Sequence, residues 1–411
     1  MHWSEHAIFW QVYPLGFTGA PVRPSGEHER VLTHRLGHLH NWLEHAQSLG
    51  CNGLMLGPVF TSSTHGYDTL DHFTIDPRLG DEGDFDALVA ACHERGIKIL
   101  LDGVFNHVGA EHPLYRAALE KGPDSDEARF FRIDWTQQPP RAAVFEGHGS
   151  LVALNHDEPA VAELVADVMS HWLSRGIDGW RLDAAYAIRP EFWRGVLERV
   201  RPDFGEAWFV GEMIHGDYAD YVNRSGLDSV TQYELWKSTW SALQDENFFE
   251  LDWTLQRHNQ WLEHFVPQTF VGNHDVTRIA TLVGQDKLPL ALAVLFTVAG
   301  VPSIYSGDEE GFTATKYERE GGDDEVRPTF PSGPDGLSPL GADVRRLHQD
   351  LVGLRRRHPW LVHGRVQQLE LRNEAYRYRV TGEGGEWIEV ALDIPARRFA
   401  ITGADGLLLE R

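Results

Sequence analysis

Apolar residues along the chain alternate between two kinds of pattern. Leu36, Leu39, Trp42, Leu43, Ala46 and Leu49 recur every three or four positions, an amphipathic helical stripe for which Gly50 offers a stop. The continuous apolar run CNGLMLGPVF follows directly. Phe85, Leu88, Val89 and Cys92 repeat the helical spacing, Gly96 ends it, and IKILLDGVFNH is again a continuous run that closes in polar residues. A third stripe, from Val161 to Leu173, is closed by Gly176 and followed by GIDGWRLDAA. Further runs of the strand type are IFWQVYPLGF near the start, then AWFVGEMI, SVTQYELW, QTFVGNHD and VPSIYSGDE. The longest apolar stretch, Leu288 to Tyr305, is broken by Pro289, Gly300, Pro302 and Ser303, so it reads as a buried helix running into a strand and not as a bilayer span.

Continuous apolar strands separated by helices predict an α/β fold with a parallel sheet covered on both faces, and eight such units predict a closed (β/α)8 TIM barrel. In that architecture chemistry sits at the C-terminal ends of the strands. Here those ends carry Asp102, Asn106, His107, Asp183, Glu212, His274 and Asp275. The spacing between the third and fourth runs is much longer than that between the second and third, and its residues are rich in Pro, Gly and charge. The chain therefore divides into a first part of the barrel over 1–107, a small protruding subdomain over 108–154, the remainder of the barrel over 155–357, and a small C-terminal β domain over 358–411. The last of these rests on strand alternation and hairpin-type glycines.

Lys and Arg number 37 against 61 Asp and Glu, a net charge of -24, which argues against nucleic acid because phosphates need a basic face. Cys51 and Cys92 each lie inside an apolar run and read as buried free thiols. The N-terminus shows no basic leader followed by an apolar stretch and a small-residue cleavage site, so the expected location is cytoplasmic, away from any membrane.

Hydrolysis of a glycosidic bond needs an ionised nucleophile or base and an acid that still holds a proton near neutrality. On a barrel rim these groups come from different strand ends, and Asp183, Glu212 and Asp275 meet that condition. Arg181 lies two residues before Asp183, on the same side of an extended strand, where it would keep the aspartate ionised. Any one of these acids alone is as readily a structural ion pair; three together favour chemistry.

The motifs DGVFNH at 102–107, GWRLDAAY at 179–186, FVGEMI at 209–214 and FVGNHD at 270–275, in this order, resemble those of the α-amylase family of (β/α)8 glycoside hydrolases and transglycosylases. The resemblance runs from about residue 8 to 309. It implies Asp183 as nucleophile, Glu212 as general acid/base and Asp275 as transition-state stabiliser, with His107, Arg181 and His274 lining the same subsite. HGYDTLDHFTIDPRLG resembles the family stretch in which Tyr67 stacks on the sugar and Asp68 supports the pocket. The implied activity is that of a retaining α-glycosidase on maltooligosaccharides or on branched or cyclic α-glucans, with an α-glucan transglycosylase as the alternative and a silent sugar-binding barrel as the lesser one. The implied partner is an oligosaccharide.

Where many α-amylases carry a Lys-His pair after the nucleophile, this chain has AAYAI, so its leaving-group side differs. Ala184, in place of the Val common in α-1,6-cleaving members, leans towards α-1,4 bonds. No cofactor is required by two-carboxylate chemistry. Asn106 would be the ligand of a calcium ion, but the expected remaining ligands from a long subdomain are missing. KYEREGGDDEVRPTF at 316–330 either shapes substrate sites through Arg319, Asp323, Asp324 or Arg327 or is a solvated charged loop, the latter slightly preferred, and Trp10, Trp172 and Trp193 read as core.

Overall fold

The structure is a computed structural model that describes residues 2–411. Eight parallel strands form one sheet: β1 (Phe9–Val12), β2 (Gly53–Leu56), β3 (Lys98–Gly103), β4 (Gly179–Leu182), β5 (Trp208–Gly211), β6 (Ser229–Val230), β7 (Gln268–Thr269) and β8 (Val301–Tyr305). Their order, β6-β5-β4-β3-β2-β1-β8-β7, follows the chain around a cylinder. A parallel bridge between Thr231 and Gln268 joins the two ends and closes the barrel.

All eight runs found in the sequence contain these strands, but the sixth is shorter than its apolar pattern suggests. SVTQYELW is strand only to Val230; Gln232 then caps a helix over Tyr233–Gln244 by accepting a hydrogen bond from the Leu235 N–H. A polar side chain that satisfies a free N–H at this point ends the strand. The stripe 36–49 is likewise two helices, Gly37–His40 and Leu43–Ser48. The break between them turns His38, Asn41 and Trp42 onto the carbonyls of Pro331 and Ser332.

Trp10, Trp172 and Trp193 are fully buried, as are Trp42 and Trp180, and both cysteines are free and buried. Gly179 starts β4 because a Cβ there would fall on the Trp208 carbonyl of β5, so only glycine lets the two strands close up. Leu288–Thr297 is a helix buried on every side and leads directly into β8. Among the described residues no helix is long and apolar enough to cross a membrane.

Between β3 and β4 the chain leaves the barrel. His107–Gly109 pairs antiparallel with Leu151–Ala153, and the segment between them holds a helix, Pro113–Lys121, which the weak periodicity of this stretch did not announce. His112 caps that helix and Pro113 starts it. At the other end of the chain a separate antiparallel meander forms: β9 (Arg365–Leu371), β10 (Ala375–Thr381), β11 (Trp387–Asp393), β12 (Arg398–Gly403) and β13 (Gly406–Glu410). Its inner face, with Tyr376, Tyr378, Val390 and Ile401, is buried against barrel helices. Tyr376 donates to Asp252 at 2.8 Å, and the hydroxyls of Tyr378 and Thr297 lie 2.7 Å apart.

Candidate active site

Strand register brings Arg181 of β4 level with Asp102 of β3 and Val210 of β5, so the guanidinium projects into the barrel mouth among the strand ends. Its Nη1 lies 2.7 Å from Asp102 Oδ1 and 3.3 Å from Asp183 Oδ1. Its Nη2 lies 2.7 Å from Glu212 Oε1 and 3.8 Å from Asp275 Oδ2. One buried arginine thus touches carboxylates from four strands. The backbone continues the ladder past the strands, with Asp183 N–H donating to Gly103 O and Glu212 N–H to Leu182 O. Asp183 and Glu212 are therefore fixed at the rim by main-chain pairing before any side chain acts.

Glu212 is held at both oxygens. Oε1 accepts from the Tyr233 hydroxyl at 3.1 Å, and Oε2 accepts from the Ala184 N–H at 2.9 Å. Ala184 adopts the left-handed conformation, φ 46° and ψ 37°, which a residue with a Cβ occupies only when the surroundings impose it. Tyr233 accepts in turn from Asn273 at 2.8 Å, and Asn273 accepts from the Asp275 N–H at 2.9 Å. A single chain of hydrogen bonds therefore runs from the fifth strand end to the seventh.

Asp275 sits between three cations or donors. His274 Nε2 lies 3.0 Å from Oδ2 and Arg327 Nη2 lies 2.7 Å from Oδ1, with Arg181 beyond. Burial works to raise this carboxyl, but His274, Arg327 and Arg181 outweigh it and hold it well below the ordinary carboxylate range. Asp183 goes the other way. Burial and then the negative charge of Glu212 push its carboxyl well above the usual range, and Arg181 opposes them only in part. The expectation that Arg181 keeps Asp183 ionised is thus corrected: the charge of Arg181 is divided among four carboxylates, and the nearest contact to Glu212 is shorter than that to Asp183.

The histidines are oriented by their neighbours. His107 Nε2–H donates to the Tyr67 carbonyl at 3.0 Å, and its Nδ1 faces the Asn106 amide at 3.1 Å. Burial pushes His107 down to about 4, so the ring is a neutral wall at ordinary pH. Gln11 fixes His274 through Nδ1 at 3.2 Å. Tyr67 donates to Asp102 at 3.1 Å, and its hydroxyl also lies against His274 Nε2.

These groups open onto a cavity of about 680 Å³. Of the residues expected there, Asp183, Glu212, Asp275, Tyr67 and His107 line it. Arg181 and His274 do not; they lie buried behind the carboxylates they touch. Asp68 is also not in the wall, because its two oxygens accept from the Thr64 N–H and hydroxyl, so it braces the turn that carries Tyr67. The Asn106 amide nitrogen faces His107 Nδ1, and the convergent groups of His and acidic residues among the described residues are His34, Asp81 and Asp84 at the surface and His45, Glu309 and Glu310 in the interior. In the second group Glu309 is already bonded to His45, Trp10 and the Gly307 N–H, and Glu310 to Arg345.

Three contributors were missed in the sequence. Asp102 was seen only as a polar strand end, although it anchors Arg181. Tyr233 and Asn273 lay inside runs read for their apolar pattern. Arg327 was weighed as a residue shaping the site, second to the solvated-loop reading; it is buried, donates to the His274 carbonyl at 2.9 Å and stacks 4.7 Å from the Tyr13 ring. Its loop is drawn in because Arg278 and Tyr305 both donate to the Val326 carbonyl. The segment between β3 and β4 also reaches the cavity: Phe145 stacks on His107, and Glu146 accepts from the Tyr186 hydroxyl at 2.8 Å.

The family model for the alpha-amylase catalytic domain matches residues 11–331. A cyclomaltodextrinase of Geobacillus thermopakistaniensis is 30% identical over 397 residues, which cover 90% of this chain and 66% of that protein. Neopullulanase 2 of Thermoactinomyces vulgaris is 33% identical over 334 residues, covering 75% of this chain and 57% of that protein. The chain thus spans two thirds or less of the length of these curated relatives. The solved ligand-free cyclic alpha-maltosyl-(1→6)-maltose hydrolase of Arthrobacter globiformis superposes with a TM-score of 0.83 at 26% identity, covering 100% of this chain and 98% of that one.

Proposed function

The chain belongs to the alpha-amylase family, and from that premise we propose that it is a retaining α-glycosidase acting on α-glucosidic bonds of maltooligosaccharides or related branched or cyclic α-glucans. The observation that carries this reading is the meeting of Asp183, Glu212 and Asp275 around Arg181 at the C-terminal rim of the barrel. Retaining hydrolysis needs two carboxyl groups with one proton between them and a third group to bear developing positive charge. Asp183 and Glu212 supply the two carboxyl groups, and Asp275, held ionised, supplies the third.

In the first step Glu212 gives its proton to the glycosidic oxygen as Asp183 attacks the anomeric carbon. The Ala184 N–H and Tyr233 hydroxyl hold the Glu212 carboxyl in place. Bonding of Asp183 to the sugar as Glu212 passes its proton to the leaving oxygen keeps a single negative charge on the pair, which moves from Asp183 to Glu212. In the second step Glu212 takes a proton from water, or from a sugar hydroxyl, which opens the glycosyl ester with net retention.

Cyclic and branched α-glucans named for the relatives support the substrate class, and Ala184 after the nucleophile favours α-1,4 over α-1,6 bonds. Transglycosylation with the same residues is the second reading, since only the acceptor differs. The test is incubation with maltooligosaccharides, pullulan, cyclodextrins, isomaltose and panose, with products followed by chromatography and anomers by NMR. α-Anomeric products are expected, and products longer than the substrate select the transglycosylase. Asp183→Ala should abolish turnover in a folded protein. Binding without turnover by the parent would instead leave a silent sugar-binding barrel.

A further inference from the structure

Alternate residues of β1 face the barrel axis, and Phe9 packs there with Met55, Leu100, Val210 and Val301. Gln11, two residues on, points the same way and is buried, with its Cα paired to those of Met55 in β2 and Tyr305 in β8. A polar side chain in an otherwise apolar strand interior needs a partner. The Gln11 amide Nε2 meets His274 Nδ1 at 3.2 Å. Gln11 does not line the cavity, so it reaches the site through His274.

The far side of the ring fixes where its proton lies. His274 Nε2 is 3.0 Å from Asp275 Oδ2, and a carboxylate only accepts, so this nitrogen must donate. The Tyr67 hydroxyl lies against the same nitrogen, and its one proton is directed to Asp102 Oδ2 at 3.1 Å, which leaves its oxygen as an acceptor. Both neighbours therefore require a proton on Nε2. The rings of Tyr13 and Tyr67 run nearly parallel to the imidazole, 7° and 4° off its plane, with centroids 6.3 and 5.7 Å away. Turning the ring to exchange its two nitrogens would break both contacts at Nε2 and the one at Nδ1.

We propose that Gln11 is a positioning residue that donates to His274 Nδ1 and so keeps the ring with a single proton, on Nε2. This rests on the reading of Asp275 given above, as the group that faces developing positive charge on the sugar. A ring with one proton gives Asp275 a hydrogen bond without a competing cation. A ring protonated on both nitrogens would offset the aspartate's charge beside the sugar and weaken its hold on the transition state. An amide N–H at Nδ1 opposes the second proton, because two N–H groups repel when aimed at one another, whereas a carboxylate there would draw that proton in. The residue type at position 11 thus selects the charge that His274 brings to the site.

The test uses the full chain labelled with nitrogen-15 and reads the imidazole nitrogens near neutrality by proton–nitrogen NMR, with the His274→Gln spectrum identifying the His274 signals. The parent should show a ring protonated on Nε2 alone. Gln11→Glu keeps the shape and exchanges the donor for an acceptor. It should bring a proton onto Nδ1 and lower kcat on maltooligosaccharides at least about tenfold, the worth of one hydrogen bond, with KM little changed because Gln11 stays clear of the cavity. Gln11→Met, of similar length with neither donor nor carboxylate, should lower kcat about tenfold, and thermal melts show whether both variants are folded. A parent ring protonated on Nδ1, or parental kcat in a folded Gln11→Met variant, would overturn the proposal. The glycosidase reading fails differently: the parent would then turn over no substrate, while the nitrogen spectrum would still report the ring.

Discussion

The backbone N–H of Ala184 donates to Glu212 Oε2 across 2.9 Å, so the residue that follows one carboxylate of the site holds the other. The donor points that way only because Ala184 is left-handed, at φ 46°. In that region the Cβ crowds the following carbonyl, a cost on the order of 1 kcal/mol that glycine does not bear. Ala184→Gly should therefore stabilise the protein by about 0.5 to 1 kcal/mol in urea unfolding while keeping the turn. A glycine variant less stable than the parent would contradict the strain argument.

Tyr233 links the acid to the seventh strand end, since its hydroxyl donates to Glu212 and accepts from Asn273, whose own carbonyl oxygen holds the Asp275 N–H. Tyr233→Phe removes the hydroxyl while keeping the ring against Phe270. Glu212 loses a donor and Asn273 loses its acceptor. The expected loss is about 10- to 100-fold in kcat on maltooligosaccharides, and less on an activated aryl glycoside whose departure needs little protonation. Equal losses on both substrates would separate Tyr233 from the acid step.

How much of this was legible in the sequence depended on the scale of the feature. The barrel was readable because each strand is a continuous apolar run that ends in a turn, and Asp183 and Glu212 because they directly follow β4 and β5. Arg327 was legible only as the less favoured of two readings: the charges around it in KYEREGGDDEVRPTF look solvated, and its burial depends on Arg278 and Tyr305 pulling in the Val326 carbonyl. The left turn at Ala184 carries no glycine to announce it. Asp68 shows the converse, a residue placed in the right stretch whose carboxylate is consumed by Thr64.

Arg327 joins two elements of the site, donating to the His274 carbonyl through Nε and to Asp275 Oδ1 through Nη2 while its plane covers Tyr13. A lysine has one charged atom and no plane, so it meets at most one of these demands. Arg327→Lys should cost about 10- to 100-fold in kcat/KM, and Arg327→Met more, because Asp275 is then left with fewer partners for a buried charge. Kinetics alongside a thermal melt separate this from unfolding. A lysine variant with parental kcat/KM would show that the Asp275 contact is structural alone.

Eight histidines set the response to acid. Burial lowers His107, His112, His156 and His258 to about 4, and lowers His40, His65, His72 and His348 as well. A histidine depressed on folding binds fewer protons in the folded state. Its contribution is complete above the unfolded value near 6.5 and is lost as pH falls towards about 4, at up to about 1.4 kcal/mol per pH unit for each ring. Asp308, pushed up to about 6 by burial, and Asp183, Asp228 and Glu234, also raised by burial, carry the opposite sign over part of the same window. Asp275, held low, acts only below the ordinary carboxylate range. The lowered histidines outnumber these four raised acids, so unfolding free energy should drop by about 3 to 5 kcal/mol between pH 7 and pH 5. Urea midpoints across that range measure it, and a midpoint that holds or rises on acidification would mean that these rings gain protons without opening the fold.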